Sequence, residues 1–259
     1  MPRVTLPIRR EDGILVATLG SLGDPVRRDA LACDLEELSQ ALLLDAEVRV
    51  VVLEYAADGG FQTEDHVCPA PSDEEESLTE EACRSLADPV ASLEVPVIAA
   101  IPGDALGAGL ELALACDLRV SAETTLFGLP QILSGRIPNN GGTQRLLRLV
   151  GRGKCLEMVL TRKPIDALDA LRIGLVNRIV PPGDVRDTAL AMARELAAKA
   201  PISLRYTKEA VREGTEMTLS QGLRLESDLY MLLQTTRDRE VGIGSALQGR
   251  RKKPCFKGC

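Results

Sequence analysis

The chain reads as an α/β protein. Strand and helix candidates alternate over about the first 180 of its 259 residues, and only helical spacing follows. The strand candidates at 48–55 (VRVVVLEY), a β-branched run, and 96–101 (PVIAAI) are mostly apolar rather than alternating. Runs of that kind are strands buried on both faces, as in a parallel sheet with helices above and below.

The elements follow in order. Residues 14–19 form a first strand, ended by Gly20. Leu31, Leu35, Leu38 and Leu42 have helical spacing and predict a helix over 28–44. The strand at 48–55 comes next, and a turn at 56–60. Residues 64–82 are polar and acidic, with a charge run at 73–76, and read as a solvated loop, with a mobile lid as the alternative. A helix over 86–93 precedes the strand at 96–101, which Pro102-Gly103 closes. Short strands are expected at 118–120, 125–127 and 176–180, and helices at 143–150, 153–160 and 167–173. The stripe Leu190, Ala193, Leu196, Ala197 and Ala200 predicts an amphipathic helix over 185–200. Two more helices, 202–213 and 219–234, complete the chain.

Composition removes several functions. Hydrophobic residues at 45% and charged residues at 27% are ordinary for a globular protein and exclude wholesale disorder. The net charge of −7, with three Phe, three Tyr and no Trp, argues against nucleic acid as a partner. No apolar run reaches the roughly 18 residues of a membrane span, and the N-terminus lacks an apolar signal region. The expectation is a cytoplasmic protein with no membrane partner and with its seven cysteines reduced. His66 is the only histidine, so a multi-histidine metal site is excluded and a Ser-His-Asp triad would have to use it. His66 and Cys68 have no second pair at suitable spacing, and no metal is expected.

Chemistry concentrates between Pro102 and Cys116. Gly103, Gly107 and Gly109 allow backbone to approach a ligand, and the Leu/Ala run behind them reads as a helix. The first turn of such a helix carries exposed N–H groups and partial positive charge, suited to a developing oxyanion. Glu111 in those first turns is either an acid/base or a carboxylate that complements the helix dipole. No P-loop lysine and no GxGxxG spacing is present.

Residues 94–117 (EVPVIAAIPGDALGAGLELALACD), 127–145 (FGLPQILSGRIPNNGGTQR), 170–178 (ALRIGLVNR) and the Phe256-Lys257 tail resemble the enoyl-CoA hydratase/isomerase, or crotonase, family. The resemblance covers nearly the whole chain. It implies a crotonase-like spiral of ββα units over residues 1–200 with an acyl-CoA pocket, and a C-terminal helical region, 201–259, that packs homotrimers or hexamers. It implies no cofactor other than the coenzyme A carried by the substrate. Two backbone N–H groups would hold the thioester oxygen: that of Ala108, and that of Thr63, where FQTED replaces the family's F-x-A-G-A-D. Glu111 matches the first of the family's two carboxylates. Gln131, in Pro130-Gln-Ile-Leu133, stands where the second is found. An amide orients water but cannot transfer a proton, so two-carboxylate hydration is expected to be impaired. Asp104 and Asp65 are candidate stand-ins. Gly107, Pro130 and Gly142 are expected at the substrate. Arg28, Asp29 and Ala30 resemble the family's L-N-A-L at the CoA, and Phe256 and Lys257 resemble its nucleotide-contacting tail. The function so implied is enoyl-CoA hydration or isomerisation with Glu111 as the single acid/base. Decarboxylation, thioester hydrolysis and non-catalytic acyl-CoA binding are the alternatives.

Overall fold

The computed structural model describes residues 6–20, 22, 25–55, 84–247 and 255–258. A six-stranded sheet runs, in spatial order, Ile8–Glu11 (β1), Ile14–Leu19 (β2), Val50–Tyr55 (β3), Val97–Ile101 (β4), Leu118–Ala122 (β6) and Arg178–Val180 (β9). Its pairs are parallel except β1–β2, an antiparallel hairpin closed by Asp12 and Gly13 in the left-handed region. A second, three-stranded sheet consists of Ala105–Leu106 (β5), Leu126–Gly128 (β7) and Ile165–Asp166 (β8).

The helices are Pro25–Leu43 (α1), Ala87–Ala91 (α2), Ala108–Ala115 (α3), Gly142–Thr161 (α4), Ala167–Arg172 (α5), Val185–Ala197 (α6), Pro201–Gly214 (α7), Leu219–Leu233 (α8) and Arg237–Leu247 (α9). One step recurs along the chain: a strand of the large sheet, a short strand of the small sheet, then a helix. β4, β5 and α3 make one such unit. β6, β7 and the 3-10 turn Pro130–Ser134 leading into α4 make the next. This is the expected spiral of ββα units.

Period-two alternation divides the buried strands between two cores. Leu15, Ala17, Leu19, Val51, Leu53, Val97, Ala99 and Ile101 face α1, α2 and α3. Ile14, Val16, Val50, Val52, Ile98 and Ala100 face Val185, Ala189, Met192, Ala193 and Ala197 of α6. With both faces covered, β3 and β4 have no exposed position, which explains the unbroken apolar runs. The exception to apolarity is Glu54, held by Arg9 at 2.7 Å, Thr18 at 3.0 Å and Arg186 at 2.9 Å.

Most predicted elements lie where the spacing placed them; the short strands β1, β5 and β8 are additional, and the helices differ in three places. The two helices expected at 143–150 and 153–160 are one run, α4, broken at Gly151 by φ 79°. The helix predicted to Ala200 ends at Ala197, because Pro201 is the first residue of α7 and Ala200 is extended before it. An additional helix, α9, packs beneath the tail. There the Asp238 carboxylate, 3% exposed, accepts the N–H groups of Lys257 (2.8 Å) and Gly258 (2.7 Å). The 56–60 turn, the 64–82 loop and His66 lie outside the described residues. Among those described, no helix is long and apolar enough to cross a membrane.

Candidate active site around Glu111

Helix α3 is buried along its whole length, and Glu111 is its one charged residue. The helix begins because Gly107 adopts φ 56°, ψ −129°, a backbone state that L side chains rarely reach. Gly107 N–H donates to Gly128 O at 3.0 Å, which fixes the helix start against the small sheet. Ala108 is the first helical residue. The Glu111 N–H closes the first intrahelical bond, onto Gly107 O at 3.1 Å.

Glu111 is 1% exposed, and an ionised carboxylate there requires partners. It has three. Oε1 accepts the N–H groups of Asn140 at 2.8 Å and Gly142 at 2.9 Å, and Oε2 accepts Nε2 of Gln131 at 3.2 Å. Gly142 is the first residue of α4, so the N-termini of two helices converge on this carboxylate. Burial nevertheless dominates and raises the carboxyl above the ordinary glutamate range. The Gly142 and Asn140 N–H groups, the Arg145 charge and Gln131 pull it part of the way back.

Gln131 lies in the 3-10 turn Pro130–Ser134 and is 7% exposed. Its Nε2 is committed to Glu111. Its Oε1 is buried and has no hydrogen-bond partner among the described residues. A buried acceptor of this kind is suited to receive a hydrogen from a ligand or a water. A cavity of about 390 Å³ opens beside it, lined by Gln131, Gly135, Arg136, Ile137 and Asn139.

The approach of Gly142 depends on its lack of a side chain. A Cβ there would lie 2.8 Å from Glu111 Oε1 and 2.8 Å from Pro138 Cβ. We expect Gly142→Ala to cost about 1–3 kcal/mol of stability, the range for overpacking, and to displace the carboxylate. Denaturant unfolding checks it; an unchanged midpoint with unchanged activity would remove Gly142 from the cradle.

The structure thus brings Glu111, Gln131 and Gly142 together, with Gly107 and Ala108 one turn before Glu111 and Pro130 adjoining Gln131. Gly142, expected at the substrate, gives its N–H to Glu111. Asp104 accepts Leu126 N–H at 2.9 Å, so its carboxylate pins the turn into β7. Arg28, Asp29 and Ala30 lie on α1, the first half-buried and the others exposed. Phe256 and Lys257 are tied to Arg49 and Asp238 by their backbone: Arg49 Nη2 donates to Phe256 O at 2.7 Å. Thr63 and Asp65 lie outside the described residues. Cys116, at the end of α3, is pushed up to about 12 by burial and is no nucleophile. Sequence reasoning missed Asn140 and Arg145. Asn140 acts through its backbone N–H, which leaves no mark on residue type, and the Arg145 guanidinium bears on Glu111 through the Asn140 carbonyl, a link that sequence spacing does not show.

A family model, enoyl-CoA hydratase/isomerase, matches residues 11–258. The chain belongs to this family. Among relatives of the family, it is 35% identical over 246 residues to the probable mitochondrial enoyl-CoA hydratase 2 of Arabidopsis thaliana, which covers 92% of this chain and 80% of that one. It is 45% identical over 163 residues to the 2,3-dehydroadipyl-CoA hydratase of Escherichia coli, a match that spans 63% of each chain. The solved enoyl-CoA hydratase of Bacillus anthracis superposes with a TM-score of 0.81 at 30% identity, over 98% of this chain and 99% of that one. One from Geobacillus kaustophilus gives 0.86 at 28% identity, over 100% and 98%. The fold is the crotonase-like spiral with C-terminal helices.

Proposed function

We propose that the chain is an enoyl-CoA hydratase/isomerase-type enzyme acting on acyl-CoA thioesters, with Glu111 as its one proton-transfer group. The observation that carries this reading is the buried carboxylate itself, held by three donors and faced by an amide rather than a second carboxylate.

The thioester oxygen is placed over the Ala108 N–H at the start of α3, with Thr63 N–H as the second donor. Negative charge developing on that oxygen is stabilised by the donors and by the helix dipole. The two oxygens of Glu111 are not equivalent. Oε1 accepts two backbone N–H groups, whereas Oε2 accepts one long bond from Gln131. Oε2 is therefore the more basic and takes the proton from Cα. The C–H electron pair becomes the enolate double bond, and the charge passes to the thioester oxygen. In a 3-enoyl thioester the enolate is conjugated, and Glu111 returns the same proton to Cγ to give the 2-enoyl isomer. One carboxyl suffices for this 1,3-shift. Adding water needs a base for the water and a proton for Cα. Gln131 Oε1 can hold a water but cannot deliver a proton.

Arg28, Asp29, Ala30, Phe256 and Lys257 are assigned to the CoA part of the substrate, and no cofactor is required. Residues 1–200 are the acyl-CoA unit and 201–259 the assembly region. The exposed apolar residues Leu219, Leu223, Tyr230, Met231 and Leu232 of α8 support a homotrimer or a dimer of trimers.

The test sets 3-hexenoyl-CoA beside crotonyl-CoA. The 3-enoyl ester should be isomerised, seen as a rise in conjugated enoyl absorbance. Crotonyl-CoA hydration should be at least about 100-fold slower, the low end of what a general acid supplies. Brisk hydration by the wild type overturns the single-carboxylate reading. Release of free CoA thiol would reassign the site to hydrolysis, and tight thioester binding without turnover to a non-catalytic role.

A further inference from the structure

The segment that supplies two of the three donors to Glu111 is itself braced from outside. Asn140 gives its N–H to Glu111, its carbonyl accepts Arg145 Nη1 at 2.7 Å, and its side-chain Oδ1 accepts Leu86 N–H at 3.0 Å. The other end of the guanidinium, Nη2, donates to Asp88 Oδ1 on α2 at 2.8 Å. Between Asn140 and Gly142 the chain turns through Gly141 at φ 86°. A Cβ on Gly141 would lie 2.2 Å from Arg145 Nη1 and 2.9 Å from its Cζ, so the guanidinium packs directly on the bare peptide of the turn.

We propose that Arg145 is a positioning residue for Glu111: by pinning the 140–142 turn it aims two N–H groups at Oε1, and it places a positive charge behind the carboxylate. The proposal rests on the reading of Glu111 as the proton-transfer group. Arg145 reaches neither Glu111 nor the cavity beside Gln131 by hydrogen bond; it acts through Asn140. Its planar fork holds the Asn140 carbonyl and the Asp88 carboxylate on two separate nitrogens in a fixed geometry, which the single nitrogen of a lysine does not reproduce. The charge matters because, among the described residues, the groups that hydrogen-bond Glu111 are all neutral. α3 packs on α2, α4 and β5. On these elements Asp88 is an exposed anion paired with Arg145, Arg148 is paired with Glu216, and Asp104 beside β5 is engaged by Leu126. Gln131 is neutral. Among the described residues, Arg145 is thus the cation whose field bears on Glu111, and it opposes the rise that burial causes.

Two readouts test it. One is the kcat and KM split on 3-hexenoyl-CoA. The other is the titration of the Glu111 carboxyl by NMR of protein labelled with carbon-13 at the glutamate carboxyls, its signal assigned by loss in Glu111→Gln. In Arg145→Met we expect kcat to fall on the order of 100-fold, as for a misplaced catalytic group, with KM essentially unchanged. We also expect the Glu111 titration to move upward. Arg145→Lys keeps the charge and loses the fork, so its titration should stay near that of the wild type while kcat still falls. A titration unmoved in Arg145→Met overturns the proposal, whether kcat is kept or lost. A rise in KM that accounts for the loss also overturns it and makes Arg145 a binding residue. Arg145 is only three-quarters buried, and should the methionine variant fail to fold, Asp88→Asn decides. With the guanidinium freed from its counter-charge, the titration should move downward; no movement overturns the proposal. A wild type inactive on every thioester would remove the proposed function alone, because the carboxyl titration still reads the role of Arg145.

Discussion

Gln131→Glu should switch hydration on, raising crotonyl-CoA turnover by about 10²–10⁴-fold, the usual worth of a general acid. The site is already built for two carboxyl groups. Gln131 is buried, and its amide lies 3.2 Å from Glu111 Oε2. Two buried carboxylates at that separation cannot both ionise readily, so the pair shares one proton over a broad pH range. That retained proton is what hydration lacks in the wild type, since the amide donates a hydrogen bond but not a proton. The substitution is nearly isosteric and exchanges an amide–carboxylate hydrogen bond for an acid–carboxylate one, so the variant should fold. Its stability should fall toward alkaline pH, where the second proton is lost and two buried charges face each other. Enoyl absorbance reads the gain and denaturant unfolding at several pH values reads the loss. A folded variant with no gain in hydration would mean that Gln131 does not stand where a proton must be delivered.

The parts of this molecule that were legible in the sequence are those whose side chains do the work. β2, β3 and β4 are buried on both faces, and their composition records it. α6 has one face on the sheet, and its stripe records that. β5 and β8 are two residues long and carry no pattern. β1 was hidden because three of its four residues are charged, although Asp12-Gly13 is a two-residue hairpin turn that marks it. α9 has no apolar stripe, and its buried anchor is a carboxylate, Asp238, that holds the tail. The same division runs through the site. Glu111, Gln131 and Gly142 stand in motifs that resemble the family's. Asn140 and Arg145 stand in the same 127–145 stretch, but their part is set by tertiary contacts: Asn140 acts by its main-chain N–H, and Arg145 on α4 braces the Asn140 carbonyl against Asp88 of α2.

Glu111→Gln should abolish proton transfer, by about 10²–10⁴-fold or more, yet leave a protein at least as stable as the wild type at neutral pH. The amide keeps an oxygen for the N–H groups of Asn140 and Gly142. Its new Nε2 would face Nε2 of Gln131, and a flip of the Gln131 amide brings its unpartnered Oε1 round to accept. The stability gain comes from charge. Because burial raises the Glu111 carboxyl in the folded state, folding favours the protonated form. That contribution is complete below the unfolded glutamate value, about 4.3, and is lost as pH rises through the higher folded value. Catalysis runs the other way, since only the ionised carboxylate removes a proton. Over the window between those two values the wild type should therefore gain activity while it loses stability. The glutamine variant should show neither slope. Thermal unfolding at a series of pH values, beside the 3-hexenoyl-CoA rate at the same values, measures both. A variant that keeps the wild-type pH slope of stability would show that some other group is responsible. A variant that keeps the wild-type rate would remove Glu111 from the chemistry.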